Sequence, residues 1–277
     1  MSTPRPTPDA PPVGALLRHW RALRGKSQLR LSADSGITQK HISFVESGRS
    51  RPSRGLLLGL ADALEMPLRE RNDLLVAAGF APVFPAAPLE PEAQASLQAA
   101  LRRLLRQHEP FPALVLDRHW NVLFANDAAP RLFGCFADLR AWPAPRNLLR
   151  LMFDPAGVRP CVANWDETAR GLLARVRRES PGHAPDATTL ALLDTLGRYP
   201  GVDLRAQAPA PGDESPVIPL RFSKGGVTLS YFSLVTTVGT PRSVAAEELR
   251  LECMFPADET TERAHERFVA ENAWAAG

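Results

Sequence analysis

Residues 27–54, SQLRLSADSGITQKHISFVESGRSRPSR, hold the densest group of side chains able to do chemistry, and that chemistry is recognition of a polyanion. Ile42 and Val45 lie three apart and share one face of a short helix. Gln39, Lys40, Ser43 and Phe44 are left on the other face, apolar behind and adaptable in front, as a helix laid in a major groove requires. Glutamine pairs bidentately with adenine and lysine with guanine, and Phe44 suits either a thymine methyl group or the core. Ser43 and His41 reach base or backbone more weakly. Thr38 precedes this segment and Ser27 the one before it, each able to cap a helix, while Gly36 supplies the turn between them. Gln28 opens the first segment, where its amide and the first helical N–H groups can bond a phosphate oxygen. Arg49, Arg51 and Arg54 follow, and each adds a backbone contact.

Those side chains need a scaffold, and charge and composition bound it. The chain has 277 residues and a formal charge of +3. Between Arg18 and Arg54, nine Lys and Arg face only Asp34 and Glu46, so this stretch carries +7 and the rest of the chain −4. The positive charge is therefore concentrated where a phosphate backbone would lie. Hydrophobic residues make up 44% of the chain, enough for packed cores, without an apolar run of membrane-spanning length. The opening MSTPRPTPDAPPVGA has no signal-peptide core, so residues 1–12 read as a disordered tail and the protein as cytoplasmic. Cys135, Cys161 and Cys253 are odd in number and widely spaced, which argues against disulfides or structural zinc and for small buried hydrophobes. No cofactor is expected.

Periodicity divides the chain further. Leu16, Leu17, Trp20 and Leu23 mark a helix from Val13 to Arg24, another helix starts after Ser53, and a fifth starts near Pro67 and stops at Gly79. Residues 13–80 thus form an all-α domain. APVFPAAPLEP begins a proline-rich linker, residues 81–94. A helix from Glu92 to Gln107 leads into a hairpin around Asp117-Arg118, then a short helix from Asn126 to Gly134. Helices over 147–153, 162–178 and 186–198 precede strands at 216–222, 227–238 and 248–255. An α+β sheet covered by helices on one side is expected over 95–256, followed by a polar helix or tail at 257–277.

Counting Gln28 as the first of twenty positions, the turn glycine is ninth and apolar residues are fourth, tenth, fifteenth and eighteenth. Glu46-Ser47-Gly48-Arg49 and Arg51-Pro52-Ser53 complete a pattern that resembles the helix-turn-helix of lambda-type repressors and the bacterial XRE family, with Ser32 where that family usually has alanine. The resemblance implies a lambda-repressor-like domain, paired Glu46 and Arg21, and Arg49, Arg51 and Arg54 along the DNA backbone. PALVLDRHWNVLFAN, RLFG, RNLLRLMF, VANWDETARGLLARVR and LSYFSL, in that order, resemble the MmyB-like ligand-binding domain, PAS-like in fold, with the loop 208–215 divergent. Together the resemblances imply an all-α HTH domain followed by an α+β PAS-like domain, and a long apolar ligand such as a fatty acid.

Candidates for lining a ligand site are Trp120, Phe124, Asn126, Phe133, Asn147, Leu148, Met152, Trp165, Leu172, Leu229 and Tyr231, each of which suits a packed core equally well. Arg146 and Arg150 are candidates for a carboxylate head. An enzyme is the contrasting class. Asp117 near His119, and Asp166-Glu167, have acid–base chemistry, but no nucleophile elbow, P-loop or dinucleotide fingerprint accompanies them. One HTH reads few base pairs, so a homodimer on an inverted repeat of operator DNA is expected. Ligand would then act by changing the spacing of two HTH units through the linker and the helix after it. The alternative is a second domain that binds a protein partner.

Overall fold

Three hydroxyl caps set the starts of the N-terminal helices. The computed structural model describes residues 12–86, 91–142, 144–179, 186–205, 217 and 219–272. Residues 1–11 of the expected 1–12 tail, the linker centre at 87–90, the loop 208–215 and the last residues, 273–277, lie outside them. Helices α1 (Val13–Leu23), α2 (Gln28–Ser35), α3 (Gln39–Glu46), α4 (Arg54–Ala63) and α5 (Leu68–Ala77) follow one another. Ser27 Oγ accepts from the Arg30 amide at 3.0 Å, Thr38 Oγ1 from His41 at 3.3 Å and Ser53 Oγ from Leu56 at 3.2 Å. Gly36 ends α2 at φ 69°, the left-handed turn that glycine adopts without a Cβ clash. Leu17, Trp20, Leu31, Ile42, Val45, Leu57 and Leu60 form the core among these helices.

By contacts the chain falls into two units: Met1–Leu89 together with Gly239–Glu247, and Glu90–Val238 together with Glu248–Gly277. The second begins with α6 (Pro91–Gln107), strands β1 (Ala113–Leu116) and β2 (Val122–Ala125), and helices α7 (Ala128–Gly134), α8 (Leu148–Phe153), α9 (Trp165–Arg178) and α10 (Ala187–Gly197). Strands β3 (Leu220–Lys224) and β4 (Val227–Thr237), the short α11 (Val244–Glu247) of the first unit, β5 (Arg250–Pro256) and α12 (Glu259–Asn272) complete the chain. The five strands form one antiparallel sheet in the order β2-β1-β5-β4-β3.

One face of the sheet packs Leu114, Leu116, Phe222, Leu229, Tyr231 and Met254 against Phe133, Leu149, Met152, Phe153, Leu173 and Leu196 of the helices. The expectation of helices on a single side does not hold. On the other face, Ala113, Val115 and Leu251 pack against Leu101 and Leu105 of α6. All four residues of β1 are buried, so both of its faces need cover, and α6 supplies the second.

Candidate nucleic-acid interface and ligand cavity

Helix α3 sorts its side chains as its spacing demands. Ile42, Val45 and Glu46 are buried, Gln39 and Lys40 are exposed, and His41, Ser43 and Phe44 are half-buried. Lys40 Nζ lies 5.7 Å from the centre of the Phe44 ring, so the two outward side chains support each other. Thr38 is exposed; its oxygen caps the helix and its O–H remains a donor for a phosphate. Arg49, Arg51 and Arg54 are exposed beyond the helix.

Behind that face Glu46 forms a buried junction. Arg21 Nε and Nη2 donate to its two carboxylate oxygens at 2.7 and 2.9 Å, and Arg18 donates to its carbonyl at 2.8 Å. Gln28 Nε2 also donates to Glu46 Oε2, at 2.9 Å. The Gln28 amide nitrogen is thus turned inward, and its oxygen and the α2 N-terminus are what remain toward a phosphate. Burial pushes the Glu46 carboxyl up, but the bonds from Arg21 and Gln28 and the nearby guanidinium charges outweigh it and hold it below its ordinary value.

The second unit contains an amphiphilic cavity of about 460 Å³. One stripe of α9, Thr168, Gly171, Leu172, Arg175 and Arg178, forms a wall at helical spacing. Phe133, Leu148 and Met152 face it from α7 and α8, and Leu114, Phe232, Ser233, Glu252 and Met254 from the sheet. A second, smaller cavity of about 120 Å³ is lined by Leu139, Trp142, Arg146, Asn147 and Leu151 and shares Leu114, Phe133 and Leu148 with the first.

The polar end of the larger cavity is unusual in its charge. Arg175 Nη1 donates to Glu252 at 3.1 and 3.2 Å and Nε to Glu179 at 2.7 Å, while Arg250 pairs with Glu179 at 3.4 Å. Those four charges cancel. Burial alone would lower the Arg175 pKa, but Glu252 and Glu179 carry it above its ordinary value, so it stays charged. Its guanidinium lies 4.4 Å from the centre of the Trp120 ring. Arg178, one helical turn on, adds a positive charge with no ion-pair partner among the described residues. Arg175 Nη2 and Thr168 Oγ1 are buried and lack hydrogen-bond partners there.

Of the sequence candidates, Phe133, Leu148, Met152 and Leu172 line the larger cavity, and Asn147 the smaller. The others do different work. Phe124 packs with the α6 side of the sheet, and its partner across the ladder is Val115. Asn126 spends its amide on the backbone of Leu105, Phe111, Ala113 and Ala129. Leu229 and Tyr231 are fully buried, with Tyr231 Oη 2.7 Å from His265 Nδ1. Trp165 packs edge-on to Phe153, with ring centres 5.0 Å apart, beneath Arg159. Arg146 reaches the smaller cavity, whereas exposed Arg150 lines neither. Leu114, Thr168, Arg175, Arg178, Phe232, Ser233, Glu252 and Met254 were not singled out by sequence. The helical spacing from Thr168 to Arg178 was the available signal. The acid–base candidates serve as local ties: Asp117 accepts from the amides of His119 and Asn121, and Glu167 from Asn164.

Residues 97–268 match the model of the MmyB-like transcription regulator ligand binding domain. The chain belongs to this family. Residues 12–74 of this MmyB-like chain match a helix-turn-helix domain. It is also 44% identical over 52 residues to the uncharacterized HTH-type transcriptional regulator y4dL of Sinorhizobium fredii, a stretch covering 19% of this chain and 26% of that relative. No helix among the described residues is long and apolar enough to cross a membrane.

Proposed function

We propose that this protein is a transcription regulator that binds operator DNA through α3 and is governed by a small apolar anion in its second unit. The observation that carries the first half is the sorting of α3, with Gln39 and Lys40 outward and Ile42, Val45 and Glu46 fixed inside a domain whose Arg18–Arg54 stretch carries +7. The small reach of one HTH supports a homodimer on an inverted repeat. Replacing both Gln39 and Lys40 with alanine should remove the operator footprint, at about 1–3 kcal/mol for each bidentate pair removed, with the melting curve unchanged. A footprint that survives removes these residues as base readers.

The larger cavity supports the ligand half. Its volume of about 460 Å³ lies within the range of small-molecule sites, about 300–1,000 Å³. The neutral four-residue network plus Arg178 suits a monoanionic head such as a carboxylate, with the chain over Met152 and Met254 toward Leu114, Phe133 and Leu148, which line both cavities. A fatty acid has this chemistry. The five-stranded antiparallel sheet with helices inserted between β2 and β3 supports a PAS-like reading of the unit. Native mass spectrometry of the purified protein should show a dimer carrying a few lipid-like adducts. A clean dimer that takes up no added palmitate would instead favour a protein partner at this face.

A further inference from the structure

Helix α5 of the DNA-binding unit has no cap from its own approach: Pro67 precedes it, and no side chain at that position bonds its first amides. The cap comes from far along the chain. The Leu68 amide donates to Glu247 Oε2 at 2.7 Å, across 179 residues of sequence. A carboxylate there satisfies an amide the helix leaves open and complements the positive end of its dipole. Glu247 ends α11; Ser243 just before that helix, and Val244 and Ala246 within it, are 1%, 0% and 5% exposed. The Val244 amide donates to Pro85 O at 3.0 Å, and Ser243 Oγ accepts from the Ala246 amide at 3.2 Å. The receiving surface is itself held in place. Asn72 of α5 accepts from the amides of Val83 and Phe84 at 2.9 and 3.1 Å and donates to Phe84 O at 2.7 Å.

The origin of α11 gives this contact its meaning. It lies in the connection between β4 and β5, adjacent antiparallel strands that a turn of about two to five residues would join. Here the connection runs from Val238 to Leu249, and its middle is built into the DNA-binding unit. Both flanking strands wall the larger cavity, β4 with Phe232 and Ser233 and β5 with Glu252 and Met254. Two short segments, 238–243 and 248–249, join these strands to α11.

We propose that α11 is a clasp, with Glu247 as its positioning residue, through which β4 and β5 set the order of α5 and hence operator affinity. The conduit is then this clasp, seated on Pro85 at the start of the proline-rich linker, and not the run of the linker into α6. The clasp stands on its own contacts; what loads the cavity rests on the reading above.

Hydrogen exchange on the full chain separates the two. Glu247→Ala should speed exchange of the α5 amides by about tenfold, in keeping with loss of a helix cap, and Val244→Asp by more, with α1–α4 still protected. Both variants should shift operator Kd, and unchanged α5 exchange in both overturns the clasp. In the unmodified protein, palmitate should alter protection of β4, β5, α11 and α5 together. In Val244→Asp it should still protect β4 and β5 while α5 and operator affinity no longer respond. Palmitate protection confined to the sheet of the unmodified protein overturns the conduit and leaves the ligand reading intact. Absence of any palmitate effect sinks that ligand, and the Glu247→Ala and Val244→Asp exchange and Kd then decide the clasp alone.

Discussion

Glu46 sits between folding and recognition: it fixes α3 to α1 and α2 without facing the DNA itself. Its side chain is 3% exposed and its Arg21 partner 17%. Removing one member of a buried pair leaves the other unpaired, so Glu46→Ala should cost on the order of 3 kcal/mol in a denaturant titration. Because its folded pKa is depressed, the stabilisation is complete above the ordinary carboxylate value and is lost as pH falls through the folded one. His265 behaves alike for a different reason. Burial lowers its pKa first, against the raising effects of the Pro110 carbonyl, Glu266 and Glu109, so the folded chain prefers it neutral. Its Nε2 lies 2.9 Å from Pro110 O, which makes Nε2–H the donor and leaves Nδ1 to accept from Tyr231. Stability should therefore fall as pH drops below 6.5, the unfolded histidine value. Urea midpoints at pH 7.5 and 5.5 should show it, and His265→Gln should flatten the slope.

At the scale of elements, the close crossing of α1 and α3 depends on a missing side chain. A Cβ at Gly14 would stand 2.4 Å from Glu46 O and 2.7 Å from Val45 O, both backbone atoms that cannot swing away. Gly14→Ala should force the helices apart, lowering thermal stability by about 1–3 kcal/mol and displacing α3 from its seat. Calorimetry that shows an unchanged or higher melting temperature would contradict that crossing. Ser53→Ala tests the start of α4 more gently, with an expected loss of about 1 kcal/mol.

For the whole molecule, the division of charge matters more than its total. With +7 between Arg18 and Arg54 and −4 elsewhere, DNA affinity should depend steeply on salt although the net charge is only +3. Replacing Arg49, Arg51 and Arg54 together with alanine should lower the slope of log K against log salt by about 0.9 for each phosphate no longer neutralised. An unchanged slope would move these arginines off the DNA backbone.

Local signals were enough to determine much of this. The hydroxyl caps at Ser27, Thr38 and Ser53, the glycine at 36 and the spacing of Ile42 and Val45 act within a few residues, so the helices of the first unit and the outward face of α3 could be read directly. The hairpin, the α8 and α9 stretches and the three later strands also declared themselves by period. Contacts made across the chain could not be read in this way. An apolar residue looks the same in a cavity wall as in a core, and the outcome for Phe133 against Leu229 depends on which neighbours stop short of filling the space. Gln28 turned inward because Glu46 was there to accept its bond, 18 residues away. The place of α11 depended on tertiary structure entirely. A four-residue helix carries no periodicity to read, and its partner amide at Leu68 becomes a neighbour only once the chain has folded.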